Sequence, residues 1–413
     1  MHVKNVISKL SLLRGLLLLS LFGMPGILQF DKTGVTKNFG LFNLQSFSRM
    51  VIYIIIGIIV ILFIAGIEKF KFKNEFFKQI NTPLSYYFLA LFISIPVLSN
   101  AEFLLSGYFV MEWVIFFLLF YLYTKEKGAY TLPDMFQDII LLIWLKIISL
   151  FIILPFFPSL GLFVDRLHGV VRIGGYFIGP NVLATLAAML ASYYYFYFKG
   201  ASIKKYGLFI FAVIILLGTN SRGALLSFFL AFSFSLIWSR KGLNHLVLLY
   251  FAAFILAFLF TYIDYFLRGM GITNILTLSE RIPLWSKYFL EFGNSPIIGF
   301  GFIAGVKKLG IIIPKIHWVA PHAHNDFVQA IMSGGLVMVA MTIGIYVSLY
   351  QKCFNPRLSD DTRLLMKNWF IQLFGYAMLT PIINWKLFAI SGIFWILFIT
   401  LKNEIYHEDP VRS

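Results

Sequence analysis

Two histidines and their polar neighbours form the cluster best suited to chemistry in this chain, the sequence His322-Ala323-His324-Asn325-Asp326. An imidazole titrates near neutral pH, so a histidine can accept the proton of a hydroxyl group as that group attacks another molecule. We interpret His324 as such a proton acceptor and expect His322 and Asn325 to contact the substrate. The cluster therefore predicts a general base at the end of a long polar stretch.

Two other interpretations of the histidine cluster stay open. The spacing His-x-His-x-Asp is also used by metal-dependent hydrolases, and His317 could supply a third ligand. Against this, the one later histidine, His407, is expected on the other side of the membrane. Alternatively, His324 only caps the helix that follows. We favour the proton acceptor and expect no metal.

Arginines accompany the histidines on the same predicted face of the protein. They are Arg166, Arg172, Arg222, Arg268 and Arg281. A guanidinium group grips phosphate oxygens at two points, so several converging arginines indicate a phosphate or diphosphate ligand. For each one taken alone, a structural role such as capping a helix is as good an explanation.

Two of these arginines lie in glycine-containing turns. Residues 172–181 run from Arg172 to a Pro-Asn pair, where Pro180 suits the first turn of a helix and Asn181 follows it. The second turn contains Ser221 and Arg222 and would place that arginine at a helix N-terminus, where the helix dipole also favours an anion. We expect Arg172, Asn181 and Ser221 to contact the substrate.

A third arginine begins an amphipathic segment of the long loop. Ser279 is a good N-cap, Arg281 follows in the first turn, and Gly293 and Pro296 end the segment. Apolar residues recur between them at helical spacing, at Ile282, Trp285, Phe289 and Phe292. The pattern predicts a helix lying on the membrane surface, with Trp285 near the substrate.

The composition sets the elements that must position these residues. Hydrophobic residues make up 60% of the 413-residue chain, charged residues 13%, and the mean hydropathy is +0.85. This balance is typical of an all-α polytopic membrane protein. We predict twelve spans, at about 9–28, 50–67, 83–98, 103–124, 138–157, 180–198, 206–219, 223–238, 244–266, 325–350, 364–384 and 387–402.

Basic residues predict the orientation of these spans. Lys and Arg are enriched in short cytoplasmic loops. The lysine runs at 69–78 and 199–205 both lie on the cytoplasmic side with the predicted spans, and one span more or fewer would put them on opposite sides of the membrane. Both termini are then cytoplasmic, and the partly helical loop 267–324 faces the periplasm. We treat residues 1–413 as one transmembrane domain with this loop as its catalytic part.

Charge and cysteine content exclude several classes of protein. The net charge of +16 is spread over many loops, whereas a nucleic-acid binder gathers its cations on one face. The basic loops are expected to contact membrane lipids instead. The single cysteine, Cys353, excludes a disulfide. Two charges inside spans, Glu112 and Lys146, form either a buried pair or part of a transport path.

Taken together, the motifs resemble the O-antigen ligase and O-antigen polymerase superfamily. The resemblance is carried by Arg-x-x-Gly-x-Phe-x-x-Pro-Asn from Arg172, Ser221-Arg222-Gly223, Arg281-x-x-x-Trp285 with Pro296 and Gly299-Phe300-Gly301, and His324-Asn325. It implies a membrane glycosyltransferase of the bacterial inner membrane whose donor is a glycan on undecaprenyl diphosphate. It also implies that Arg222 and Arg281 hold the diphosphate, that His324 is the base, and that no cofactor is needed.

One position favours the polymerase branch. Ligases usually have Gly, Thr or Tyr three residues after the glycine that matches Gly335, and here that residue is Met338. The acceptor is then another lipid-linked glycan, with a chain-length regulator as a further candidate partner. Transfer to a lipid A core by a ligase is the first alternative, and a transporter of lipid-linked glycans is the second.

Overall fold

The computed structural model describes most of the helical domain. The described residues are 2–22, 44–65, 100–128, 130–165, 170–175, 178–238, 281–302, 312–313, 318–319, 322–383 and 387–407. Within them lie eleven helices, α1 His2–Phe22, α2 Leu44–Ala65, α3 Asn100–Lys127, α4 Leu132–Ile153, α5 Pro180–Phe196, α6 Ser202–Gly218, α7 Arg222–Trp238, α8 Arg281–Phe292, α9 Asp326–Cys353, α10 Asp360–Ala377 and α11 Ala389–His407, besides the single turn Pro158–Gly161.

Three helical segments are long and apolar enough to cross a membrane by length and composition. They are Gly107–Lys127, Leu132–Ile153 and Asp326–Cys353. The protein is therefore a helical membrane protein. The count of twelve spans stays a prediction, and two of the spans, 83–98 and 244–266, lie outside the described residues.

Two short hairpins interrupt the predicted all-α fold. β1 Leu162–Asp165 pairs antiparallel with β2 Val170–Ile173, and β3 Ile312–Ile313 pairs with β4 Trp318–Val319. The first hairpin was missed because its strands are only four residues long and lie between a predicted span and a glycine-rich turn. It matters here because Arg172 is on β2, opposite Phe163 of β1.

Most of the helices pack around a large apolar core, and buried polar side chains join them there. The Gln372 amide of α10 donates to Ser192 of α5 at 2.7 Å, and Asn368 donates to Ser235 of α7 at 3.0 Å. Trp369 donates to the Met189 carbonyl at 3.0 Å. Hydrogen bonds of this kind join helices where water is absent. They fix α5, α7 and α10 side by side.

Helix α9 is broken at two glycines near its N-terminus. Gly335 has φ 61° and ψ −152°, a conformation open essentially to glycine alone. The backbone groups freed at the break bond to a loop. Phe300 N donates to the Met332 carbonyl at 2.9 Å, and Leu336 N donates to the Pro296 carbonyl at 2.9 Å. A broken span is tolerated only where its backbone is satisfied in this way.

The break and the loop fit closely because both are rich in glycine. A Cβ on Gly299 would lie 2.6 Å from Gly334 N, and a Cβ on Gly335 would collide with the Ile297 backbone. The short first half of α9, residues 326–333, is thereby held between this loop and α8. This segment carries the histidine cluster at its N-terminal end.

Candidate active site at the N-terminal end of α9

The histidine cluster forms a tight turn that leads into α9. Asn325 is the N-cap of this helix, since its Oδ1 accepts from Phe327 N at 2.8 Å and from Val328 N at 3.1 Å. His324 has φ 56°, which is uncommon for a residue with a side chain. Its backbone N–H donates to Nδ1 of His322 at 3.1 Å. The turn therefore sets the direction of the His324 ring.

Helix α8 is docked against this turn by Trp285. The indole N–H donates to the Ala323 carbonyl at 2.7 Å, and Leu284 and Tyr288 of α8 pack with Ala323 and Val328. The predicted helix at this position is confirmed, with an end at Phe292 as expected. Trp285 is engaged in docking, which is a role that its spacing alone did not indicate.

Docking brings Arg281 close to His324. Arg281 is the first residue of α8, and its charge acts on the imidazole. Burial, together with this positive charge, lowers the pKa of His324 to about 3, and an interaction with the Leu379 backbone opposes the shift. Burial also lowers the pKa of Arg281 from its ordinary value. His324 is therefore neutral at physiological pH and keeps a lone pair for a proton.

A second group of site residues is joined by one hydrogen-bond network. Arg172 Nη2 and Ser221 Oγ both donate to Asn181 Oδ1, at 3.0 and 2.9 Å. Arg172 Nε also donates to the Thr219 carbonyl at 2.8 Å. Arg172 is buried, so its guanidinium holds the turn before Arg222 in place. The structure thus joins the first two arginine motifs.

Leu379 lies between the two groups of residues. A side chain at Gly223 would collide with the Leu379 side chain, so the N-terminus of α7 touches this residue. The Leu379 backbone in turn interacts with His324. Arg222 is the first residue of α7 and lies beside this contact. Arg172, Arg222, Arg281 and His324 are therefore gathered at one end of the bundle, which we call the His324 end.

A support that the sequence did not suggest holds this arrangement. Asn325 Nδ2 donates to the Met378 carbonyl at 3.2 Å. The buried Asp326 accepts from Ile383 N at 3.2 Å and from the Tyr346 hydroxyl at 2.8 Å. The segment 378–383 after α10 is thereby tied to the start of α9 at both of its ends. No motif marks this segment, so it could not be predicted from residue types.

Metal binding has no support in the part of the chain that the structure describes. No three His, Cys, Asp or Glu side chains converge there. His317, the third ligand of the metal alternative, lies outside the described residues, as do Arg166, Arg268 and Ser279. Their expected roles stay predictions.

Comparison with known proteins matches part of the chain to a family. Residues 207–343 match the family described as O-antigen ligase. This match supports the resemblance to the O-antigen ligase and polymerase superfamily. The matched region includes α7, α8 and the first part of α9, and with them Arg222, Arg281 and His324. No curated protein matches the chain.

The matched region covers only part of the candidate site. Arg172 and Asn181 precede it, and the 378–383 segment follows it. The His324 end is therefore completed by residues on both sides of the matched region.

Proposed function

We propose that this protein is a metal-independent, inverting glycosyltransferase of the bacterial inner membrane. It joins glycan repeat units carried on undecaprenyl diphosphate to an acceptor glycan on the periplasmic face, as an O-antigen or capsular polysaccharide polymerase. The observation that carries the proposal is the position of Arg281 beside His324, with Arg222 across Leu379. Cations for a diphosphate and a neutral base then lie at one end of the bundle.

Arg222 and Arg281 would bind the diphosphate of the donor. Each is the first residue of its helix, so the partial positive charge of the helix N-terminus adds to the guanidinium charge. When the bond from the anomeric carbon to the diphosphate oxygen breaks, negative charge grows on that oxygen. Groups already directed at it would stabilise the transition state, each by about 10²–10³-fold in rate.

His324 would take the proton of the acceptor. The hydroxyl oxygen of the acceptor sugar attacks the anomeric carbon, its proton passes to the imidazole, and undecaprenyl diphosphate leaves. Attack opposite the leaving group inverts the configuration at that carbon. A base with a pKa of about 3 is weak, but the bound diphosphate would offset the positive charge of Arg281. Donor binding would thereby raise the pKa of His324 and strengthen the base.

The remaining site residues would position these three. Arg172, Asn181 and Ser221 fix the turn that presents Arg222, while Trp285 holds α8 against the histidine turn. Asn325 orients the start of α9. Sugar rings that reach this end of the bundle would meet two side chains. The Asn181 amide is exposed, and the His322 imidazole is partly exposed.

The ligase is the second candidate, because the matching family is described as O-antigen ligase. A single assay separates the candidates. Purified protein is incubated with lipid-linked repeat units alone and then with lipid A core added. A polymerase forms ladders in both reactions, and a ligase forms product only when core lipid is present. A protein that forms no glycosidic bond in either reaction is not a transferase, and that result would reject the proposal.

A further inference from the structure

The end of the bundle opposite His324 contains a large cavity that the proposed reaction does not use. Its volume is about 1040 Å³. It is bounded by the C-terminal ends of α5 and α7, by the start of α6 and by the first two turns of α10. Helices of 17 residues at about 1.5 Å per residue separate the two ends by roughly 25 Å.

Basic side chains dominate the charge of this cavity. Among the residues that the structure describes, four cations line it, Lys199, Lys205, Arg363 and Lys367, together with two carboxylates, Asp360 and Asp361. Both carboxylates are already used, since Asp361 pairs with Lys199 at 3.3 Å and Asp360 pairs with Arg363. The charge that remains at the cavity belongs to Lys205 and Lys367.

These two lysines are held over aromatic rings. Lys367 Nζ lies 4.7 Å from the ring centroids of both Trp238 and Phe354, and Lys205 Nζ lies 5.7 Å from that of Tyr195. An aromatic face attracts a cation but does not neutralise it. Both ammonium groups therefore stay able to bind an anion while they are held near the cavity wall.

The cavity also has apolar walls. Leu236 and Ile237 line it, together with Tyr206 and Trp238. Tyrosine and tryptophan are enriched at the level of lipid headgroups in membranes. A small phosphate ion would gain nothing from the apolar walls. A phospholipid suits the cavity better, because its charged headgroup can contact the lysines and its acyl chains can contact the apolar walls. Basic pockets between membrane helices bind anionic headgroups in this manner.

We propose that this cavity binds the phosphate headgroup of an anionic phospholipid, with Lys205 and Lys367 as the principal contacts. The site lies at the end that the distribution of Lys and Arg assigns to the cytoplasm, where anionic lipid is available. It is separate from the donor diphosphate and would anchor α5, α6, α7 and α10 in the leaflet opposite the reaction.

The test measures lipid binding by the full chain in detergent micelles. Wild type and the double variant Lys205→Ala/Lys367→Ala are titrated with phosphatidylglycerol, and retained lipid is counted by native mass spectrometry. Each lysine near a membrane surface contributes about fivefold to anionic lipid affinity, so the double variant should bind about twenty- to thirtyfold more weakly. Lys367→Arg should bind as wild type does.

Three controls keep the result decisive. Lys204→Ala removes a neighbouring lysine that does not line the cavity, and it should bind phosphatidylglycerol like wild type. Phosphatidylcholine and free inorganic phosphate should not compete for the site. Equal phosphatidylglycerol binding by the double variant, an equal loss in Lys204→Ala, or competition by inorganic phosphate would each overturn the proposal.

Discussion

The two ends of the bundle both present cations, but they hold them in different ways. At the His324 end, Arg172 is fixed by hydrogen bonds to Thr219 and Asn181, and the backbone is bent at Asn220 and His324. At the opposite end, Lys205 and Lys367 rest over aromatic rings. Directional bonds fix a group to one geometry, whereas contacts with rings do not.

The difference indicates different tasks for the two ends. Transition-state stabilisation needs donors already in place, and the bonds of Arg172 hold the turn that carries Arg222 in this way. Holding a lipid headgroup needs charge near a surface and tolerates movement. Substitutions at one end should therefore change the rate of transfer, and substitutions at the other should change lipid binding alone.

The largest expected effect is on glycan transfer. His324→Ala and Arg281→Ala should each lower the rate by about 10²–10⁴-fold, because each removes a group that acts on the reacting atoms. The control is Lys367→Ala at the opposite end, which should transfer at the wild-type rate in the same micelles. Polymer formation from lipid-linked repeats is the measurement, and a normal rate in either site variant would break the contrast.

Next in size is the effect of filling the break in α9. Gly335→Ala puts a Cβ into the Ile297 backbone at a φ that favours glycine, and should cost about 2–4 kcal/mol of unfolding free energy. Gly344→Ala is the matched control in the same helix, because a Cβ there has open space around it. Thermal unfolding in detergent compares them, and equal melting temperatures would contradict the described break.

A smaller effect is expected where Asp326 supports the segment after α10. Asp326→Asn replaces one carboxylate oxygen with an NH2 group, which cannot accept the hydrogen bond from Ile383 N. The segment beside His324 should therefore loosen. We expect kcat to fall about tenfold, with KM nearly unchanged, since positioning and not donor binding is lost.

Tyr346→Phe serves as the comparison for Asp326→Asn. It removes one partner of the carboxylate and leaves the bond from Ile383 in place. In steady-state kinetics, the fall in log kcat for Tyr346→Phe should be less than half of the fall for Asp326→Asn. A change in KM alone, in either variant, would assign Asp326 to substrate binding instead.

The smallest expected effect is that of pH on the free enzyme. Burial and Arg281 lower the pKa of His324 to about 3, so the imidazole stays neutral as pH falls from 8 to 5. Wild-type kcat/KM should then change less than twofold over this range, whereas an unshifted histidine would lower it about thirtyfold. A titration of kcat/KM centred near pH 6.5 would contradict the buried, neutral base.

The sign of the shift has a second consequence, for stability. In the unfolded chain His324 binds a proton near its ordinary pKa, while in the folded protein it does so only near 3. Its contribution to stability is full above about pH 6.5 and is lost as pH falls from there toward 3. His324→Gln should remove this part of the acid sensitivity.

Much of the fold followed from the sequence because membrane spans carry a strong signal. Helices α7 and α9 begin at or next to the predicted positions, since Arg222 and Asn325 stand where a turn meets an apolar segment. Helix α8 was predicted from its cap and spacing. The β1–β2 hairpin and the break at Gly335 were missed, because both depend on backbone contacts with distant segments.

The positions of the candidate site residues were easier to predict than their contacts. Arginine and histidine types near turns led to Arg222, Arg281 and His324, which the fold does bring to one end. Arg172 and Trp285 hold the site together by donating hydrogen bonds to the backbone carbonyls of Thr219 and Ala323. Every residue has a backbone carbonyl, so residue types do not indicate these partners. The segment after α10 was missed for the same reason.

Diphosphate binding at the His324 end can be measured directly with a soluble isoprenyl diphosphate. Binding is measured by calorimetry for wild type, Arg222→Ala, Arg281→Ala, His324→Ala and Lys367→Ala. We predict at least tenfold weaker binding for each arginine variant. The His324→Ala and Lys367→Ala variants should bind within about twofold of wild type. Wild-type affinity in both arginine variants, or an equal loss in Lys367→Ala, would contradict the account.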